Sequence, residues 1–405
     1  MSKIDELIER LCPNGVKYYE LGELGKFYGG LTGKSKEDFK EGNAKFITYM
    51  NVYKNPALDI DVDDKVKIKE NENQRTLEYG DVIFTGSSET PDECGITSVV
   101  TKKTDEKIYL NSFCFFFRFN DPSIMLPDFA KHLFRSSNLR YQIGRTASGV
   151  TRFNVSKKLM EKVKIAVPPL EVQYKIVHIL DDFMLLSAEL SAELKARQKQ
   201  YNYYFDKILN QSKYPKMKLG DIGQVKMCRR ILKSQTNNID GIPFYKIGTF
   251  GKEPDAFIDE ETFNEYKKKY SYPRKGDILI SCSGTIGRTV VFDGEPSYFQ
   301  DSNIVWLEHD YTKVLNEYLF YCYKTNPWMI ATGGTIARLY NENVLKAEIP
   351  VPPIEEQRKI VHILDRFYKI CNDISEGLPA EIEARQKQYE YYRDKLLTFK
   401  EFGNE

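Results

Sequence analysis

The chain has 405 residues, 41% hydrophobic and 29% charged, with 25 Gly and 17 Pro, a balance that excludes a disordered or collagen-like polymer and fits two or three globular domains. The seven Cys are scattered singly with no C-x-x-C pair, which argues against a disulfide framework or a cysteine zinc site and suits a reducing cytoplasm. Net charge is only +1, but it is segregated: 24 basic against 21 acidic residues over 17–166 and 19 against 17 over 213–350, with acidic excess in 1–16, 167–212 and 351–405.

Taken in chain order, Ile4, Leu7, Ile8 and Leu11 fall at helical spacing before a Pro13-Asn14-Gly15 turn, predicting a short helix that docks near the C-terminal end. Short Val/Ile/Phe/Tyr-rich runs at Asp81 to Phe84 and Asn111 to Phe119 read as strands, and Pro127 to Ile143 reads as helix. The most apolar stretch, Phe113 to Phe119, is too short to cross a bilayer, and the N-terminus alternates charge, so neither a membrane span nor a signal peptide is expected. From Leu170 to Leu209 there is no Gly or Pro, enough for roughly 60 Å of helix. A second α/β stretch follows over 213–350, with Leu315 to Lys324 helical, and a second helical stretch over 351–405.

The second half repeats the first. Residues 167–183 (VPPLEVQYKIVHILDDF) and 351–367 (VPPIEEQRKIVHILDRF) agree at 13 of 17 positions, and 192–209 matches 380–397 with four extra residues in the second copy. Leu21 to Gly25 corresponds to Leu219 to Gly223, and Gly80-Asp81 to Gly276-Asp277. Each half therefore joins a divergent part to a nearly identical helical part, one divergent task beside one shared task. Ile176, Ile179, Phe183, Leu186 and Leu190, with Ile360, Ile363, Phe367, Ile370 and Ile374, step alternately by three and four, which predicts a coiled-coil seam between the two helices, the alternative being two amphipathic helices each packed on its own domain. Gly377 and Pro379 should interrupt the second. The expected class is α+β: small mixed domains over 1–166 and 213–350, separated by long antiparallel coiled-coil helices over 167–212 and 351–405, related by a pseudo-twofold repeat.

Residues 129–160 carry Lys131, Arg135, Arg140, Arg145, Arg152, Lys157 and Lys158 with no Asp or Glu. Acid-free intervals recur at 222–239, with Lys226, Arg229, Arg230 and Lys233, and at 266–276. Lys and Arg neutralise phosphates and Arg reads guanine, so these clusters point to DNA. Small-residue turns beside them, 146–153 (TASGVTRF), 281–288 (SCSGTIGR) and 332–339 (TGGTIARL), let a backbone approach phosphate. The candidate DNA face comprises Lys34, Lys36, Arg140, Arg145, Thr151, Arg152, Lys157, Arg229, Arg230, Lys233, Ser283, Arg288 and Arg338.

Catalytic patterns fail on spacing. Gly29 to Ser35 lacks the outer glycine of a P-loop, where Tyr28 stands. Asp255 with Glu265, and Asp92 with Asp105, match a metal-nuclease pattern only loosely, and His132, His178, His309 and His362 have no metal-ligand spacing. No S-adenosylmethionine fingerprint or adenine-flipping tetrad is present, so no catalytic residue and no metal is assigned.

The doubled PPLEVQ and PPIEEQ helix starts, each after a divergent domain holding a Gly-Asp-Val/Ile run, resemble the specificity (S) subunits of type I restriction-modification systems over essentially the full length. Val172 departs from the pattern, which the second copy keeps as Glu356. The resemblance implies a non-catalytic subunit whose two target-recognition domains each read half of a bipartite, asymmetric double-stranded DNA site, with the helices as a ruler. It also implies two methyltransferase subunits carrying S-adenosylmethionine and two restriction subunits using ATP and Mg, with no cofactor on this chain. Pro169, Gln173, His178, Pro353, Gln357 and His362 are its candidate partner-facing residues. The competing reading is a duplicated coiled-coil scaffold that assembles proteins without reading DNA.

Overall fold

The computed structural model describes residues 3–211, 213–328 and 337–403. The chain forms two compact units, Met1–Ser191 with Glu381–Glu405, and Ala192–Ala380. The division falls inside the helical segments rather than at their ends.

In the first unit, strands Gly25–Gly29, Cys114–Phe119, Val82–Thr85 and Thr97–Val99 lie side by side in that order, all antiparallel. Strand alternation separates two cores: Val82, Phe84, Phe115 and Phe117 face one, and Ile83, Cys114 and Phe116 face the other. A small sheet pairs Ala44–Ile47 with Lys65–Val66 and, in parallel, with Ile108–Leu110. Tyr18–Glu20 pairs with Lys164–Ala166 where the chain leaves for the long helix.

The second unit repeats every one of these pairings with different residues. Its four strands run Gly223–Lys226, Ile304–His309, Ile278–Ser281 and Thr289–Val291. Ile242–Tyr245 sits between Phe257–Ile258 and a parallel Tyr298–Phe299, and Lys216–Lys218 pairs with Glu348–Pro350. Ile278, Ile280, Val305 and Leu307 face one core, and Leu279, Ile304 and Trp306 the other.

The short motifs shared by the halves are the points where the backbone has no freedom. A Cβ on Gly25 would lie 2.2 Å from the carbonyl of Arg118, and one on Gly223 would lie 2.4 Å from that of Glu308. Gly80 and Gly276 adopt φ of 91° and 92°, a region that favours glycine. The carboxylates that follow brace each turn. Asp81 accepts from the Glu78 amide and takes a two-pronged contact from Arg118, at 2.8 and 2.7 Å. Asp277 accepts from the Arg274 amide and the Tyr311 hydroxyl, both at 2.7 Å.

The predicted helix over 127–143 is two, Pro127–Leu133 and Ser137–Gly144, because the backbone turns at Ser136, whose hydroxyl donates to the Leu133 carbonyl. The N-terminal helix, Lys3–Leu11, docks as expected: Ile8 and Leu11 join the core that holds Leu396, Leu397 and Phe399, and Val16 bridges to Glu401. The side chains of Ile4 and Leu7 lie outside the described residues. The long helix spans Leu170–Phe205 and ends in a wider turn over Asp206–Asn210. The second copy breaks at the Gly377 and Pro379 insertion into Ile354–Asn372 and Leu378–Leu396. Asp373 accepts from the amides of Ser375 and Glu376 in the break, where a Cβ on Gly377 would lie 2.5 Å from the Asp373 carbonyl.

The predicted seam is displaced. The buried residues of the long helix are Val172, Gln173, Ile176 and Leu180, and those of its counterpart are Gln357, Ile360, Leu364 and Cys371. Leu186, Ile363, Ile370 and Ile374 are exposed, the last by 83%. The reason is that the first three turns of each helix pack on their own α/β domain. Helix pairing follows further along and is carried by aromatic rings. Phe183 stacks on Tyr392 in the first unit, with centroids 5.2 Å apart, and its repeat equivalent Phe367 stacks on Tyr204 in the second, at 5.8 Å. Within each unit, the beginning of one copy's helix thus meets the end of the other's.

Candidate nucleic-acid interface

The basic stripe over 129–160 divides by direction. Its first three members point inward and are corrections to the charge-based reading. Lys131 is buried between Asp128 and Asp181, at 2.9 and 2.8 Å. Arg135 donates to the carbonyls of Thr97, Val52 and Tyr53, and burial pulls its pKa down to about 10. Arg140, assigned to the DNA face, donates to the carbonyls of Asp92, Cys94 and Gly95. Its guanidinium fastens one loop to the helix Ser137–Gly144, and burial lowers its pKa. Lys34 is also removed from the DNA face: its ammonium is buried against Glu72 at 2.5 Å and donates to the Lys67 carbonyl. That contact, with Gln74 and the Lys69 amide, holds the Glu72 carboxyl down to about 2.

The remaining members lie outward. Lys36 and Lys157 are exposed, the latter over the Phe115 ring at 5.5 Å. Arg145 lies over the Tyr141 ring at 5.7 Å and contacts its hydroxyl. Thr151 and Arg152 line a cleft of about 500 Å³ with Tyr49, Met50, Tyr53, Ser87, Glu93 and Phe113. Arg152 donates from Nε to the Ser87 hydroxyl at 3.2 Å and lies over the Phe113 ring at 5.6 Å. Phe113, read from sequence as part of an apolar strand, is instead 57% exposed at that strand's approach. Tyr49, Tyr53 and Glu93 were not anticipated at all, because they come from two separated segments, the helix Tyr49–Lys54 and the loop 91–95, with no shared motif.

The second domain has a cleft of about 500 Å³ lined by other residues, Met227, Ser302, Arg338, Tyr340 and Glu342 among them. Arg338 donates to the Ser302 carbonyl at 3.0 Å. Ser283 donates to Asn303 at 2.9 Å, and Arg288 to the Phe250 carbonyl at 3.0 Å, so both brace loops. Arg229 lies over the Tyr270 ring at 5.4 Å, Arg230 pairs with Asp301 at 3.0 Å, and Lys233 is exposed. Of the turn 332–339, residues 332–336 lie outside the described residues.

The partner-facing set divides too. Pro169, Pro353, His178 and His362 are exposed, with His178 3.1 Å from Asp182. Gln173 and Gln357 are fully buried, a correction to their placement on an outer face. Gln173 accepts from the Leu126 amide and donates to the carbonyls of Ile124 and Pro168, at 2.8–2.9 Å. Gln357 repeats all three bonds with Leu315, Lys313 and Pro352. Each side chain saturates three backbone groups and locks a helix start onto its own domain.

The nuclease-like acids are committed elsewhere, Asp255 to Lys246 at 2.8 Å and Glu265 to Lys269 at 2.7 Å. Among the described residues, no group of three His, Cys, Asp or Glu could hold a metal ion, and no helix is long and apolar enough to cross a membrane.

A family model described as "Type I restriction modification DNA specificity domain" matches residues 13–197 and again 211–384. The chain belongs to this family. It is 57% identical over 261 residues to a putative type I restriction enzyme specificity subunit, S.HindORF215P of Haemophilus influenzae, a match covering 62% of this chain and 68% of that one. It is 33% identical over 266 residues to the EcoR124I/EcoR124II specificity subunit of Escherichia coli, covering 60% of this chain and 65% of the relative. Among solved structures it resembles a chain from a study of complex assembly and conformational transition of the type I R-M system, with TM-score 0.64 and 17% identity over 95% of this chain and 98% of the other. It also resembles the HsdS subunit of Thermoanaerobacter tengcongensis, with TM-score 0.53 and 18% identity over 96% and 97%. The chain is thus a type I restriction-modification specificity subunit with the two-domain fold seen in these structures.

Proposed function

We propose that each α/β domain of this specificity subunit reads one half of a bipartite, asymmetric double-stranded DNA site, and that the helices set the spacer between the halves. The observation that carries this reading is the pair Arg152 and Arg338. Two domains that share their main sheet pairings each line a cleft with a guanidinium, Arg152 in the first and Arg338 in the second, while the residues around them differ. One guanidinium in each of two dissimilar clefts suits two reading heads that meet different bases. The near-identical helix starts suit two copies of one partner, a methyltransferase subunit that carries S-adenosylmethionine and modifies adenine, with the exposed Pro169, His178, Pro353 and His362 as docking candidates. Two restriction subunits would bring ATP and Mg chemistry, so this chain supplies specificity and no reacting group, in the cytoplasm where the DNA lies.

Adenine-methylation mapping of the native host, with and without this chain, tests the reading. Loss of one bipartite motif with a fixed spacer is expected. An unchanged methylome in a host whose methyltransferase subunit is expressed, together with weak, salt-insensitive DNA binding by the assembled complex, would favour a scaffold instead.

A further inference from the structure

Resting on that reading, we propose that the cleft of the first domain reads a single G·C base pair from both edges, Arg152 donating to guanine and Glu93 accepting from cytosine. Glu93 is held by three neutral donors: the Tyr53 hydroxyl at 2.7 Å on Oε1, and the hydroxyls of Ser88 and Thr90 at 3.1 and 3.2 Å on Oε2. Among the described ion pairs none involves Glu93, so its charge is oriented without being neutralised. These hydrogen bonds also keep its carboxyl below the usual range, and it stays ionised at neutral pH.

An ionised carboxylate in a DNA-facing cleft repels phosphate, and what it can accept from in the major groove is the amino group of cytosine or adenine; beside an arginine on the guanine of the same pair, that group is cytosine's. Arg152 complements it. Its Nε is anchored on Ser87 and its plane rests near Phe113, which leaves both terminal nitrogens for O6 and N7 of guanine, a two-pronged geometry. Ser87 and Ser88 are adjacent, so one short strand brings donor and acceptor to the same cleft. In a G·C pair the cytosine amino group is itself bonded to guanine O6, and one pair presents both targets side by side. Among the described residues, the second cleft lacks this combination: its Glu342 faces Lys346 at 3.6 Å. The reading is therefore confined to one half-site.

The test uses the assembled complex. Glu93→Gln and Arg152→Lys should each turn one G·C position of one half-site degenerate in the methylation motif, the same position in both variants, with the other half-site unchanged. With the unaltered chain, replacing each guanine of that half-site in turn by 7-deazaguanine should weaken binding about tenfold at that position. This second measurement decides the matter if a variant fails to assemble. Unchanged motifs, relaxation at two different positions, or indifference to 7-deazaguanine at every guanine would overturn the assignment. Absence of any bipartite motif with the unaltered chain would instead defeat the broader reading of this domain as a DNA reader.

Discussion

At the scale of the residue, a basic sequence interval proves to contain two kinds of cation. Arg140 and Arg145 are five positions apart, yet one is spent on three backbone carbonyls and the other rests on an exposed tyrosine. Arg145→Ala should weaken recognition of one half-site and leave the melting temperature nearly unchanged, as measured by methylation motif and thermal unfolding. Arg140→Ala should cost about 1.5–3 kcal/mol of stability, because it leaves partly buried carbonyls without a charged donor; an unchanged unfolding midpoint would refute that role. Composition could find the interval but not this division. Which way each side chain points depends on the loop 91–95, whose approach to helix Ser137–Gly144 has no sequence signature. Glu93 was illegible for the same reason: its three donors come from residues 53, 88 and 90.

At the scale of the element, the repeat made the helices legible and misled on their faces. Length, the Pro-Pro starts and the break at Gly377 followed from proline, glycine and the four-residue offset. The seam did not, because a three-and-four spacing records an apolar face without saying whether a helix or a sheet covers it. The duplicated glutamine settles this locally. Gln173→Ala would leave the Leu126 amide and two carbonyls unpaired beside the core, for a loss of about 2–4 kcal/mol in the first unit. Gln173→Glu should be worse despite its matching shape, since a carboxylate would face the carbonyls of Ile124 and Pro168 with no proton to give. Gln357→Ala and Gln357→Glu should follow the same order in the second unit. Chemical denaturation of the four variants checks this, and a Glu variant as stable as the unaltered chain would show that the side chain is not a latch.

At the scale of the whole molecule, the chain returns to where it began. Residues 381–405 belong with 1–191, and the junction is polar as well as apolar. His132 is fully buried, its Nε2 2.7 Å from Asp181 and its Nδ1 2.9 Å from the Tyr389 hydroxyl. Burial, only partly offset by Asp181, lowers the His132 pKa below its ordinary 6.5. The unfolded chain therefore takes up a proton on this histidine, as pH falls below about 6.5, before the folded chain does, so its contribution is full above that pH and diminishes beneath it. The carboxylate of Asp181, held low mainly by His132 and Lys131 against the opposing effect of burial, loses its contribution only at much lower pH. Thermal unfolding of the first unit should accordingly fall between pH 7 and pH 5.5, and His132→Gln, which keeps a polar group without the titration, should flatten that slope. The second unit places Tyr321 and Asp365 at the equivalent positions, 2.5 Å apart, and Tyr321 is held well above the usual phenol range by burial and by that carboxylate. A phenol stands there in place of the histidine, so its unfolding should hold across the same interval. Ending the chain after Ala380 removes Tyr389, Leu396, Leu397 and Phe399 from the first core, a loss of several kcal/mol at roughly 1.5–3 kcal/mol per buried side chain. Limited proteolysis should then cut the first domain and spare the second, and equal protection of both would show that the returning helix is not part of the first unit's core.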